Sequence, residues 1–275
     1  MYQVDPSHRA QPSPQSNPEH MMTLTDEQIK SYQDSGYLLV SGLIPNAVSA
    51  RAEAAMWKLM EMDADGPETW SRVPKTADEY TESRNLVTFN GAKDPDLMAC
   101  ATDDYLTAVA QLLGEPIGSL HPPEAVHTQN LLQRHGTWKL PNPHVDGIPK
   151  EHMHKTLPGP YRITSLVYLS DVQYQGGGTC AWPGSHRKIR QLAESDETKY
   201  EFLYDLNKDI PALDLGEPVE LTPQRGDILF FQHLFGHNGS ANTRTRPRFM
   251  MRYFCSCEKC YSKWKKVDHW GHWAP

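Results

Sequence analysis

From residue 122 onward the chain breaks into short extended segments, and this pattern limits the available folds more than any other feature. Residues 126–132, 161–169, 179–182, 219–222, 227–232 and 248–257 are the extended segments, and Gly and Pro recur between them. Short strands with turn signals between them favour a sandwich or barrel over an alternating βα sheet. The first part of the chain differs. Thr25-Asp26-Glu27-Gln28 has capping-box form and predicts a helix from Asp26 to about Ser35, stopped by Gly36. Residues 37–40 read as a short strand, and Pro45-Asn46 opens a second helix carrying Val48, Ala52, Met56 and Met60. Leu106, Val109, Leu112 and Leu113 repeat at helical spacing before Gly114, which predicts a helix over residues 103–113. Residues 63–93 hold no sustained apolar period and read as a long loop, a kind of segment often used as a lid or binding loop. Residues 188–209 are charged and helix-prone, and read as an insertion across the barrel mouth.

The 275 residues carry a formal charge of −7. That balance argues against a surface that tracks phosphates, so a small-molecule substrate is expected and a nucleic-acid partner is not. The longest apolar stretches, such as residues 166–169 and 228–231, fall far short of the roughly 20 residues that cross a bilayer. No membrane span is expected. Residues 1–22 lack the basic start and apolar core of a signal peptide. They read as a flexible leader on a cytoplasmic protein, with residues 23–275 as a single domain. Cys255, Cys257 and Cys260 do not have the spacing of a disulfide framework. With His269 or His272 they could hold zinc, although a lone C-x-x-C unit makes small strand residues the plainer reading.

The sharpest local feature is His144-Val145-Asp146. Residues two apart in an extended chain project to the same side, so the imidazole and the carboxylate can bind one cation. One further His completes a two-His, one-carboxylate face, which leaves coordination positions open and marks non-haem Fe(II) oxygenases. Candidates follow the apolar strand Gly226-Asp227-Ile228-Leu229-Phe230-Phe231-Gln232, where His233 and His237 compete. Arg244, Arg246 and Arg248 come next. A keto acid that chelates iron through its keto oxygen and near carboxylate leaves its far carboxylate to be bound, and an Arg fork suits that task. Periodicity leaves both choices open.

The order of His144-Val-Asp146, Trp182-Pro-Gly-Ser-His186, Arg225-Gly-Asp-Ile-Leu-Phe-Phe231 and the run from His237 to Arg248 resembles the phytanoyl-CoA dioxygenase family. Leu24-Thr-Asp-Glu-Gln-Ile29 and Asp34-Ser-Gly-Tyr37-Leu-Leu-Val40 are similar to its opening helix and strand, so the likeness spans most of residues 24–253. The resemblance implies a mainly β fold with flanking helices: a double-stranded β-helix, or cupin-like jelly roll. It further implies Fe(II) on His144, Asp146 and His237, with 2-oxoglutarate and O2 as co-substrates. In the family the distal His precedes the co-substrate Arg by eleven residues, which maps onto His237 and Arg248 and leaves His233 a structural role. The implied reaction hydroxylates an unactivated C–H bond of a small or medium-sized metabolite and releases succinate and CO2. No catalytic side chain is implied beyond the metal centre.

Three features set this chain apart or narrow the reading. The family writes His-Gly-Ser after the distal ligand and uses that Ser on the far carboxylate; here Asn238 displaces the pair to Gly239-Ser240. Ser240 is carried over as a co-substrate contact, with Thr179 as a second. Gly176-Gly177-Gly178 replaces the commoner Asn-Gly and suggests a looser turn before Thr179. Retention of Asp146 argues against a halogenase-like site. His152, His154, Lys150, Lys155 and Arg162 read as solvent-facing loop residues, and His186 as part of a turn or helix start. Two rivals stand beside the oxygenase: a metal-dependent isomerase or lyase without a keto acid, independent of Arg248, and a non-catalytic binding module that holds no stoichiometric metal.

Overall fold

The computed structural model describes residues 22–146, 155–156 and 163–257. Residues 1–21 of the expected leader, His152, His154, Lys150, Arg162, Cys260, His269 and His272 lie outside the described residues. The chain begins with α1 (Asp26–Ser35), β1 (Tyr37–Val40) and α2 (Asn46–Leu59). Thr25 Oγ1 accepts from the Gln28 amide at 3.2 Å while Gln28 Oε1 accepts from the Thr25 amide at 2.9 Å, the reciprocal cap expected from the sequence.

The larger sheet runs β1, β11 (Ile228–Gln232), β8 (Ile163–Tyr168), β13 (Met250–Cys257), β6 (Val126–Thr128) and β4 (Asn90–Ala92), with β5 (Leu120–His121) also on β13. A smaller sheet holds β10 (Val219–Glu220), β9 (Thr179–Ala181) and β12 (His237–Gly239). Side chains alternate across each strand. Leu166, Leu229, Phe231 and Met250 of the larger sheet therefore meet Ala181 and Leu221 in a core between the sheets. Val167, Ile228, Phe230, Met251 and Tyr253 point the other way, into a core shared with Tyr32 of α1, Met56 of α2, Leu97 of α3 (Pro95–Met98) and Val109 of α4 (Asp103–Leu113). Burial on both faces explains why β11 is apolar from Ile228 to Phe231 although its sheet is antiparallel. The two facing sheets with helices outside form a jelly roll.

Two local expectations are corrected. The segment read as an insertion across the mouth forms α5 (Ser185–Ser195) and α6 (Leu203–Asp209). Ile189, Leu203 and Leu206 need apolar cover, and they find it behind the smaller sheet against Val145, Cys180 and Trp182. The stretch read as a long loop contains β2 (Glu79–Thr81), β3 (Leu86–Thr88) and β4, of which β3 pairs with β7 (Asn130–Leu131). Three-residue strands are too short to display an alternating period. Cys255 is buried on the outer face of the larger sheet, its thiol towards the His121 carbonyl. Among the described residues no helix is long and apolar enough to cross a membrane.

Helices α1 and α5 meet at Gly36, whose φ is +84°. A Cβ there would stand 2.4 Å from Nδ1 of His186, so the close approach requires glycine. His186 is fully buried, and its Nε2–H donates to the Gln33 carbonyl at 3.2 Å. Burial, then the Arg187 charge, pushes its pKa down to about 4. The native state thus refuses a proton that an unfolded histidine accepts near pH 6.5. This contribution to stability is complete above pH 6.5 and is lost as pH falls towards 4. At about 1.4 kcal/mol per pKa unit the loss is on the order of 3 kcal/mol. Urea unfolding across this window should give a flatter stability curve for His186→Gln than for the wild type; parallel curves would refute the assignment.

Candidate metal centre and anion site

His144 and Asp146 lie along the edge of the smaller sheet, where His144 and His237 exchange two backbone hydrogen bonds of 3.0 Å. Val145, between them, turns outward into the core behind the sheet. Asn207 of α6 clamps its peptide groups: Oδ1 accepts from the Val145 amide at 2.8 Å and Nδ2 donates to the Val145 carbonyl at 3.2 Å. That clamp supplies the hydrogen bonds a neighbouring strand would otherwise give. It leaves the two flanking side chains facing inward with His237.

Asp146 Oδ1 is 3.9 Å from His144 Nε2 and 3.6 Å from His237 Nε2, and one ligand atom from each residue lies within 4.8 Å of the others. His237 Nδ1–H donates to the Phe235 carbonyl at 2.9 Å, which keeps its Nε2 lone pair for the cluster. Burial, reinforced by His237, drives the His144 pKa down to about 3, so this imidazole is neutral and ligand-competent at pH 7. Burial alone would raise the Asp146 carboxyl, but His237, Arg252 and His144 outweigh it and hold it below the usual carboxylate range. Asp146 Oδ2 is buried, with no hydrogen-bond partner among the described residues. An ionised, buried oxygen without a donor is costly unless a cation meets it. Two imidazole nitrogens and one carboxylate on a single face fit Fe(II). His233 is placed elsewhere: its Nε2 bonds the Thr156 carbonyl at 2.9 Å.

Arg248 sits just before β13 and is 4% exposed. Its Nε donates to the Gly177 carbonyl at 2.9 Å and its Nη1 to the Gln129 carbonyl at 2.6 Å. Among the described residues it has no carboxylate partner. Burial, only partly offset by Tyr168, lowers its pKa to about 10, so it remains a cation at pH 7. The glycine run that holds it is tight, contrary to the looser turn expected. Gly177 has φ +84°, and a Cβ on Gly178 would lie 2.2 Å from the Leu221 carbonyl oxygen. Arg244 and Arg246 turn elsewhere, Arg244 to the Tyr174 carbonyl and Arg246 to Glu53.

Arg248, Thr179 and the triad line one cavity. Thr179 Oγ1 is 2.7 Å from the buried Tyr168 hydroxyl. Ser240 is placed outside that lining, and its hydroxyl donates to Glu220 Oε1 at 3.1 Å. Strand alternation gives the reason. His237 and Gly239 share the inner face of β12, and the extra Asn238 shifts the serine by one position to the other face. Arg84, Gln129 and Arg252 also line the cavity and were not singled out from the sequence. Two-residue spacing in an extended segment points to Arg252, which follows Arg248 and Met250 on the same side. Arg84, from a short helical turn between β2 and β3, carried no such signal.

A two-His, one-carboxylate face inside a jelly roll places the chain among metal-binding β-helix folds that include the non-haem oxygenases. A model of the phytanoyl-CoA dioxygenase family matches residues 32–250, and the chain belongs to that family. Solved structures agree on the fold. The non-haem α-ketoglutarate-dependent carbocyclase SnoK from nogalamycin biosynthesis is 18% identical with a TM-score of 0.60, over 84% of this chain and 83% of that one. The epimerase SnoN, solved with Fe3+, α-ketoglutarate and nogalamycin RO, is 16% identical with a TM-score of 0.60, over 84% and 83%. EctD from S. alaskensis, solved with 2-oxoglutarate and 5-hydroxyectoine, is 16% identical with a TM-score of 0.57, over 85% and 76%. No curated protein matches the sequence.

Proposed function

We propose that the protein is an Fe(II)- and 2-oxoglutarate-dependent dioxygenase that hydroxylates a C–H bond of a small or medium-sized metabolite. Iron bound with 2-oxoglutarate couples O2 to oxidative decarboxylation, so that 2-oxoglutarate, O2 and R–H become succinate, CO2 and R–OH. His144, Asp146 and His237 hold the metal through the inward-facing atoms described above. Arg248 takes the far carboxylate of 2-oxoglutarate, and Thr179, oriented by Tyr168, lies beside it. Ser240, turned to Glu220, supports the strand next to this pocket. The observation that carries the reading is Arg248: a buried guanidinium on two backbone carbonyls, with no carboxylate among the described residues, in the same cavity as the triad. A buried cation of this kind is costly unless an anion meets it.

The relatives support the same chemistry and span epimerase and carbocyclase as well as other outcomes, so hydroxylation is the part drawn from the family's commonest pattern. The direct test is anaerobic reconstitution with Fe(II) followed by 2-oxoglutarate. A visible metal-to-ligand charge-transfer band should appear, and on admitting air with ascorbate slow succinate formation should follow even without the metabolite. Stoichiometric iron with no band on saturating 2-oxoglutarate would overturn the proposal in favour of an enzyme that needs no keto acid.

A further inference from the structure

The cavity holds more positive charge than iron and 2-oxoglutarate require. Its lining includes Arg84, Arg248 and Arg252, while Asp146 is the one acidic residue among the described lining residues. Fe(II) adds two positive charges, and 2-oxoglutarate brings two negative ones. With both bound, the described lining residues still carry a positive excess once Arg248 is matched.

Arg252 lies on the same strand face as Arg248 with Met250 between them, about 13 Å further along at roughly 3.3 Å per residue. Its Nη1 is 3.6 Å from Asp146 Oδ1, so it sits against the metal face itself. Arg84 reaches the cavity from outside the jelly roll. A Cβ built on Gly239 would stand 3.4 Å from its Nη2. Among the described residues Arg84 makes no hydrogen bond or ion pair. Burial, then the neighbouring Arg252 cation, lowers its pKa.

The backbone that carries Arg84 is held in place. Asn85, directly after Arg84, holds a left-handed φ of +48° and receives the Tyr80 hydroxyl on Oδ1 at 2.6 Å. Its Nδ2 donates to the Gln133 carbonyl at 2.7 Å, and its own carbonyl accepts from the Leu132 amide at 2.9 Å. Asn is among the few non-glycine residues that adopt this left-handed conformation readily, and these hydrogen bonds anchor it there. The turn carrying Arg84 is thereby tied to the strand that runs beside β13.

Resting on the dioxygenase reading above, we propose that Arg84 and Arg252 form an anion-binding face for the primary substrate, which carries a carboxylate or phosphate group. Two guanidinium groups of one sign in a narrow cleft attract an anion and bind it through paired N–H donors. The face also orients the substrate, because its anionic end is drawn to Arg252 against the metal face and its remaining carbons extend from there.

The test uses full-length protein loaded anaerobically with Fe(II) and 2-oxoglutarate and titrated in a calorimeter with acid and neutral partners of matched shape. The probes are phenylacetate against phenylacetamide, octanoate against octanamide, and phenyl phosphate against phenol. At least one anion should bind roughly tenfold tighter than its neutral partner, and Arg84→Gln and Arg252→Gln should each remove most of that preference. Preference among the carboxylates or for the phosphate identifies the group. The charge-transfer band is followed in parallel as the check on 2-oxoglutarate. Its absence in the wild type counts against the dioxygenase reading, while the calorimetric preference still scores the anion face. Equal binding of acids and neutral partners, including no binding by any acid, overturns the proposal. So does a loss of 2-oxoglutarate affinity in the two variants with the acid preference intact, which would give these arginines to the co-substrate.

Discussion

His237→Ala should lower iron affinity by at least roughly 100-fold, whereas His233→Ala should change it by less than about threefold. The two histidines are four residues apart on one turn-and-strand segment, and the distinction rests on where their rings point. His237 Nε2 faces Asp146 at 3.6 Å, with Nδ1 fixed on the Phe235 carbonyl. Its removal leaves a neutral His144 and a single carboxylate, too few protein donors to hold a divalent ion against water. His233 spends its Nε2 on the Thr156 carbonyl, so its loss leaves a buried acceptor unpaired and costs about 1–3 kcal/mol of stability rather than metal. Elemental analysis after anaerobic reconstitution and dialysis separates the two, with urea unfolding run in parallel. Equal iron content in both variants, or the reverse order, would sink the assignment.

The helices were legible because their ends are written in local chemistry. The Thr25 cap with Gly36, and the apolar spacing of residues 103–113 with Gly114, bound helices at the residues the pattern indicates. The central strands β8 and β11 were legible for a different reason: both are buried along their whole length, and the apolar runs at residues 166–169 and 228–231 are a strong signal. The metal face was also readable, since His144 and Asp146 are two apart and need only an extended backbone. What escaped was whatever depends on contacts between distant segments. Asn207 grips Val145 across 62 residues, and nothing in the sequence near either one announces it. Arg84 reaches the cavity because β3 pairs with β7, a pairing of very short strands with no detectable period. Ser240 shows how a single inserted residue acts: one step along a strand reverses the face, so a hydroxyl two positions after the distal ligand and one three positions after it point in opposite directions.

For Arg248→Met the expected result is a rise of roughly 100-fold in the dissociation constant of 2-oxoglutarate, about 2.7 kcal/mol, with iron binding unchanged. The size follows from replacing a charge-assisted, paired contact in a buried site by none. The same substitution should leave the unliganded protein nearly as stable as the wild type, within about 1 kcal/mol, for opposing reasons. It relieves a buried cation that has no carboxylate partner among the described residues, and it strips donors from the Gly177 and Gln129 carbonyls. Arg248→Lys should recover only part of the affinity, because one ammonium cannot satisfy both carbonyls and still present a fork to a carboxylate. A control isolates the far carboxylate: 2-oxovalerate, which has the same chain without it, should bind wild type and Arg248→Met alike. Anaerobic titration of the charge-transfer band measures all four combinations of protein and keto acid. If the variant lost both keto acids equally, Arg248 would be acting through the shape of the site, and the far carboxylate would have to be sought at Arg84 instead.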